Sequence, residues 1–165
     1  MGRCRRCDRS GIFVFTDRFG LCARCRTVVA LDLTDRAAGL NECIELVDTS
    51  KDLPTRIARC DEAIEHLRYI RDTYERRGIN VLDPPADDQL AKLRWARDEC
   101  FADDVKIKLD SARRKAGDAT TAEERADAFA EVLDVISEHR PQMRAPSRLD
   151  AYQAEAERAI QDAQA

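Results

Sequence analysis

Two Cys-x-x-Cys pairs, Cys4 with Cys7 and Cys22 with Cys25, stand 14 residues apart (8–21) near the start of the chain. That residue type at that spacing is the ligand set of a four-thiolate metal site. Four thiolates around one ion complete a tetrahedron and leave no position for water or substrate, so the chemistry they predict is structural rather than catalytic. Zn2+ is the expected ion, with iron as an alternative that thiolate softness does not separate from it. Cys43, Cys60 and Cys100 each lie on or beside an apolar helical stripe and read as small buried hydrophobes. Seven cysteines, an odd number, with no export signal ahead of them, argue for reduced thiols rather than a disulfide framework.

The metal pairs sit among arginines. Arg3, Arg5, Arg6, Arg9, Arg18, Arg24 and Arg26 face only Asp8 and Asp17 in residues 1–30, a net of +5, which leaves −9 on residues 31–165 of a chain at −4 overall. Two readings follow. Four thiolates and a divalent ion carry −2, so the arginines can neutralise the centre and stack on Phe13, Phe15 or Phe19. Alternatively they form an electropositive face for phosphates, the start of a nucleic-acid interface. Arginine outnumbers lysine 23 to 5 across the whole chain, so arginine richness alone does not choose between them.

Groups for acid–base or nucleophilic catalysis are not gathered in the sequence. His66 falls off the apolar stripe of its helix and reads as a surface residue, while His139 falls in a last helical turn, where its charge suits the helix dipole. Neither has a cysteine or aspartate partner at a telling spacing. Asp87-Asp88, Asp103-Asp104 and Glu123-Glu124 are explained as first-turn or solvated-face charges, and the glycines belong to turns, caps and one helix interior rather than a phosphate loop. The expectation is therefore a protein that is not an enzyme.

The elements that must position these residues are mostly helical: 36% of residues are charged, only 5% aromatic, and glycine and proline are sparse. Ile12-Phe13-Val14-Phe15 predicts a strand, Thr16 to Gly20 a turn, and together they predict a β-hairpin strung between the two metal knuckles, a zinc-ribbon or treble-clef arrangement. From Cys25 onward the apolar period becomes 3.6. Helices are predicted over about Arg26–Val47, with a kink near Gly39, and over Leu53 to Tyr74, capped by Asp52 and ended at Gly78. After a proline-broken loop over 79–86, a third helix is predicted over about Asp87–Ala116, stopped by Gly117. A fourth begins at the capping box Thr121–Glu124, and a last one is capped by Ser147 after Pro141 and Pro146. This predicts a mainly α protein: a zinc ribbon over 1–27 joined to an antiparallel bundle or array of about five helices over 28–165. The third helix would reach about 45 Å at 1.5 Å per residue, long enough to suggest a protruding hairpin or self-association.

The order of elements, with Gly20-Leu21-Cys22, Leu53-Pro54-Thr55-Arg56-Ile57-Ala58-Arg59-Cys60-Asp61 and Arg77-Gly78-Ile79 leading to Pro84-Pro85, resembles a group of uncharacterised bacterial proteins that carry an N-terminal Cys4 zinc ribbon before a helical region. The resemblance implies a fold and a metal but no activity. Asp8 departs from the ribbon pattern, because it stands where a glycine usually follows the first cysteine pair. No apolar run approaches the ~20 residues of a membrane span, and residues 1–25 lack the apolar stretch of a signal peptide, so a cytoplasmic protein is expected. The function expected is a zinc-ribbon binding or adaptor protein whose helices engage a protein partner. The alternative is a nucleic-acid-binding protein that uses the ribbon arginines on phosphates.

Overall fold

A computed structural model of the chain describes residues 2–165. The chain is mainly helical and divides into two compact units, Met1–Trp95 and Ala96–Ala165. In the first unit, strands β1 (Gly2–Arg3) and β2 (Ser10–Gly11) precede helices α1 (Ala23–Thr49) and α2 (Leu53–Thr73) and the start of α3 (Ala86–Asp118). The second unit holds the remainder of α3 with α4 (Ala122–His139) and α5 (Asp150–Gln164). No helix among the described residues is long and apolar enough to cross a membrane.

The hairpin is present but not where residue type placed it. Gly2 pairs with Gly11 and Arg3 with Ser10, so the antiparallel ladder closes around the first cysteine knuckle. Ile12–Phe15, the predicted strand, is irregular. Helix α1 begins at Ala23, within the second cysteine pair, so no returning strand follows the loop to receive a ladder from these residues. Without a partner strand, β-branched and aromatic side chains have no sheet face on which to pack.

Residues 50–52 turn the chain so that α2 folds back along α1. The α2 start is as legible as it looked: Asp52 accepts hydrogen bonds from the Thr55 backbone N–H at 2.9 Å and from its hydroxyl at 2.6 Å, and Pro54 occupies the first turn. At the other end Gly78 takes φ 71, the left-handed conformation that ends the 3-10 turn Glu75–Arg77. The α1–α2 seam is filled by Leu40, Cys43, Ala63, Ile64 and Leu67, with Leu90 of α3 closing it. A second cluster caps the same hairpin where α1 begins and α2 ends, and the cysteine knuckles belong to it.

In the second unit Val105, Leu109 and Ala112 of α3 are buried, as are Phe129, Val132 and Ile136 of α4 and Ala156 of α5. The Thr121 hydroxyl accepts from the Glu124 N–H while Glu124 bonds back to the Thr121 N–H, the reciprocal cap that the sequence predicts. Three details differ from expectation. Gly117 lies inside α3, one residue before its end. Ser147 caps nothing, because Pro146–Leu149 is a 3-10 turn and α5 starts at Asp150. His139 is only 6% exposed and pairs through Nε2 with Asp104 at 3.0 Å, its ring tilted over Phe101, so tertiary packing rather than the helix dipole sets its role. The chain between α4 and α5 is held by Asp98, also buried, which accepts from the backbone N–H groups of Arg144 at 3.2 Å and Ala145 at 2.9 Å.

Ile64→Ala should destabilise the first unit by about 2–5 kcal/mol, measured by urea denaturation, because its side chain fills the α1–α2 seam. The hydrogen bonds to Asp52 from Thr55, and to Glu124 from Thr120 and Thr121, hold both carboxyls below their ordinary range. A depressed folded-state pKa stabilises above the unfolded value and ceases to do so as pH falls through the folded one. Acid titration below about pH 4 should therefore progressively erase the stability difference between the wild type and an Asp52→Asn, Glu124→Gln variant.

Candidate metal centre

The first knuckle is a tight turn enclosed by β1 and β2. The Cys4 N–H donates to the Arg9 carbonyl and the Asp8 N–H to the Cys4 carbonyl, both at 2.9 Å. Asp8 adopts φ 58, the left-handed conformation for which glycine is the usual residue at this point, so the departure from the ribbon pattern is absorbed by an aspartate that tolerates it. Its carboxylate meets Arg3 at 3.1 Å across the exposed side of the turn.

The second knuckle is delivered by Asp17. Its Oδ1 accepts the N–H groups of Phe19 at 2.9 Å and Leu21 at 3.0 Å, while the Arg5 N–H donates to the Gly20 carbonyl at 2.9 Å and ties the turn to the first knuckle. Cys22 then serves as the extended residue before α1, and Cys25 falls in that helix's first turn. This is why Cys-x-x-Cys works at a helix start: the extended first cysteine and the helical second one project to the same side.

The four sulfurs converge, with all ligand atoms within 4.8 Å of one another and Cys7 Sγ 3.9 Å from Cys22 Sγ. An ion about 2.3 Å from each thiolate of a tetrahedron requires sulfurs about 3.8 Å apart, so the quartet fits a single ion. It does not fit a disulfide, whose sulfurs lie about 2.05 Å apart, and no disulfide joins any of the seven cysteines among the described residues. Cys4 and Cys25 are buried while Cys7 is exposed, so the centre is half sunk into the protein. Leu21, Val29, Ile70, Tyr74 and Ile79 cover its inner side. The Tyr74 hydroxyl donates to Asp32 of α1, and burial together with that carboxylate pushes the phenol pKa up.

Two thiols respond in opposite directions. Burial opposes ionisation of Cys4, but the backbone N–H groups of Cys22, Cys7 and Arg6 outweigh it and bring the thiol down to about 6. Cys25 is pushed up to about 12 by burial, by the crowding sulfurs of Cys22, Cys7 and Cys4, and by the negative charge of Cys4. A pocket that holds one thiolate with backbone dipoles and resists the next is one in which a divalent cation can take the place of protons.

The seven arginines do not share one environment. Arg5 lies over Gly78, where a side chain's Cβ would stand 2.9 Å from its Nη1, and donates to the Gly78 carbonyl. Arg77 returns the connection by donating to the Arg6 carbonyl at 3.3 Å. Arg18 stacks over Phe19 at 4.7 Å, and Arg3 is paired with Asp8. Arg9, Arg24 and Arg26 are exposed, and Arg6 is half-buried. Between the knuckles, Ile12, Phe13 and Phe15 are 61%, 85% and 82% exposed.

Sequence reading missed two groupings that involve both histidines. His139 meets Asp104 across two helices of the second unit, as described above. In the first unit His66 lies beside Glu62, one helical turn earlier, and both face Cys43 of α1. The Glu62–His66 spacing was available in the sequence; the cysteine was not, because it comes from another helix. No protein-family profile matches this chain, and neither the curated proteins nor the solved structures yield a match.

Cys22→Ser should lower bound metal by one equivalent and accelerate proteolysis within residues 2–26, while most far-UV helical signal survives because α1–α2 has its own seam. Metal uptake at pH 7 should release thiol protons from the quartet, so calorimetry in buffers of different ionisation enthalpy will report net proton release, and acidification will expel the ion.

Proposed function

We propose that the protein is a non-enzymatic binding protein in which Zn2+, held by Cys4, Cys7, Cys22 and Cys25, fastens a small ribbon to a helical hairpin and presents the ribbon loop to a protein partner. The observation that carries this reading is the exposure of Ile12, Phe13 and Phe15 on a loop anchored at both ends by the sulfur quartet. Exposed aromatic side chains on a fixed backbone lose little entropy on docking, and clustered apolar exposure of this kind marks interaction sites. The closed ligand set supports a structural ion rather than a reactive one. Arg9 and Arg18 near the same loop suit a partner with an apolar pocket rimmed by carboxylates, and the helices add further contact area. Seven reduced thiols suit a reducing compartment such as the cytoplasm.

A second reading is favoured by one combination: Phe13 and Phe15 are exposed on the ribbon, and so are Arg9, Arg24 and Arg26 within residues 9–26. Aromatic faces and guanidiniums together bind single-stranded nucleic acid by stacking and phosphate contact.

Replacing Phe13 and Phe15 together by alanine should leave metal content and helical signal unchanged, since both rings are in solvent, yet abolish cross-linked protein adducts of the full chain formed in cells. Adducts that persist in this variant overturn the reading. Binding of single-stranded oligonucleotides with a log–log salt slope near −0.7 per phosphate contact, flattened when Arg9, Arg24 and Arg26 are replaced, would install the second reading in its place.

A further inference from the structure

Cys43, Glu62 and His66 bring a thiol, a carboxyl and an imidazole together on the α1–α2 hairpin, with one ligand atom from each within 4.8 Å of the others. We propose that these three side chains form a second metal site, separate from the four-sulfur centre, that takes a borderline transition-metal ion of the Zn2+ class and leaves one coordination position for water or an outside ligand. One sulfur, one nitrogen and one oxygen is a donor set such ions accept, and three protein ligands give the open form of site.

The surroundings are shaped for this arrangement. Glu62 and His66 are one turn apart on α2 and so share a face. On α1, Gly39 lies one turn before Cys43, and a Cβ at Gly39 would stand 2.8 Å from His66 Nε2. The helix is cut away where the ring seats, and α1 accepts a glycine in its interior despite the cost in helix propensity. Cys43 is 2% exposed within the seam of Leu40, Ala63, Ile64 and Leu67, and its polar neighbour is Glu62. The sulfur is thus aimed at the carboxyl from inside while His66 and Glu62 border solvent. This makes a site with a buried anchor and an accessible rim.

Charge sets its strength. Burial first, and then Glu62, raise the Cys43 thiol pKa, and its hydrogen bond goes to that carboxyl. Binding therefore releases the Sγ proton to solvent as the sulfur–metal bond forms, and thiolate, carboxylate and neutral imidazole with a divalent ion sum to zero. Glu42 adds further negative charge nearby. Arg59, 2.6 Å from Glu62, and Arg36, 3.5 Å from the His66 Nδ1, supply positive charge to the same ligands and must yield to an ion. Both guanidiniums are partly solvent-exposed, but Arg36 is also stacked over Tyr69 at 3.9 Å and lies 4.0 Å from Asp32, and the competition makes this site weaker and more labile than the sulfur quartet.

Co2+ and Zn2+ titration of the full chain tests the assignment. The wild type should bind two equivalents, the second lost first to a competing chelator and accompanied by proton release. His66→Gln and Glu62→Gln, both at solvent-bordering positions, should each weaken only the second equivalent by at least about tenfold, since even outer-shell changes cost 10–100-fold. Gly39→Ala should weaken it with all three ligands intact, whereas Cys22→Ser should remove only the tighter equivalent. Far-UV circular dichroism reports whether each variant folds. A wild type that takes up one equivalent, or a second equivalent indifferent to both His66→Gln and Glu62→Gln, overturns the proposal.

Discussion

The convergence of four sulfurs at the end of the α1–α2 hairpin is the constraint from which the first unit takes its form. Two of them are not merely adjacent to the core but part of it: Cys4 and Cys25 pack with Val29, Ile70, Tyr74 and Ile79. An N-terminal segment with two-residue strands could not bury enough surface to hold itself in place. Its attachment rests on the shared burial of these sulfurs and on the Arg5–Gly78 contact. The start of α1 within the second cysteine pair makes the longest lever of the unit continuous with the second cysteine knuckle.

Charge is distributed in keeping with that geometry. Arginines in the ribbon divide between those engaged within the protein, Arg5 on Gly78, Arg3 on Asp8 and Arg18 on Phe19, and those exposed without such a contact described above, Arg9, Arg24 and Arg26. The first group explains part of the basic bias without any ligand. The second group, with the exposed aromatic rings, is where a binding function has material to work with. A +5 segment on a chain at −4 is thus partly architecture and partly surface.

How much of this was legible depends on the range of the interaction involved. Asp52, the Thr121–Glu124 box and Gly78 announced helix ends because a cap is satisfied within four residues. The apolar stripe through Cys60, Ile64 and Leu67 announced a buried helix face because its period is set by one turn of backbone. Ile12–Phe15 misled because strand preference is a preference for a partnered surface, and no partner strand follows. His139 misled for the same reason: its place in a last turn suggested a dipole contact, but Asp104 and Phe101 arrive from a different helix.

By itself the sequence determined which four cysteines gather into a cluster able to hold a metal, the helical class and most helix boundaries, since these follow from spacing and from hydrogen bonds that close locally. Only the tertiary structure decided that the hairpin closes around the first knuckle, that the loop aromatics remain in solvent, and that Cys43 joins Glu62 and His66 across two helices. The first two depend on α1 starting within the second cysteine pair, and the last on which face of α1 meets which face of α2 and on Gly39 leaving room for the His66 ring. Such pairings are decided by packing between residues far apart in the chain, and no local pattern encodes them.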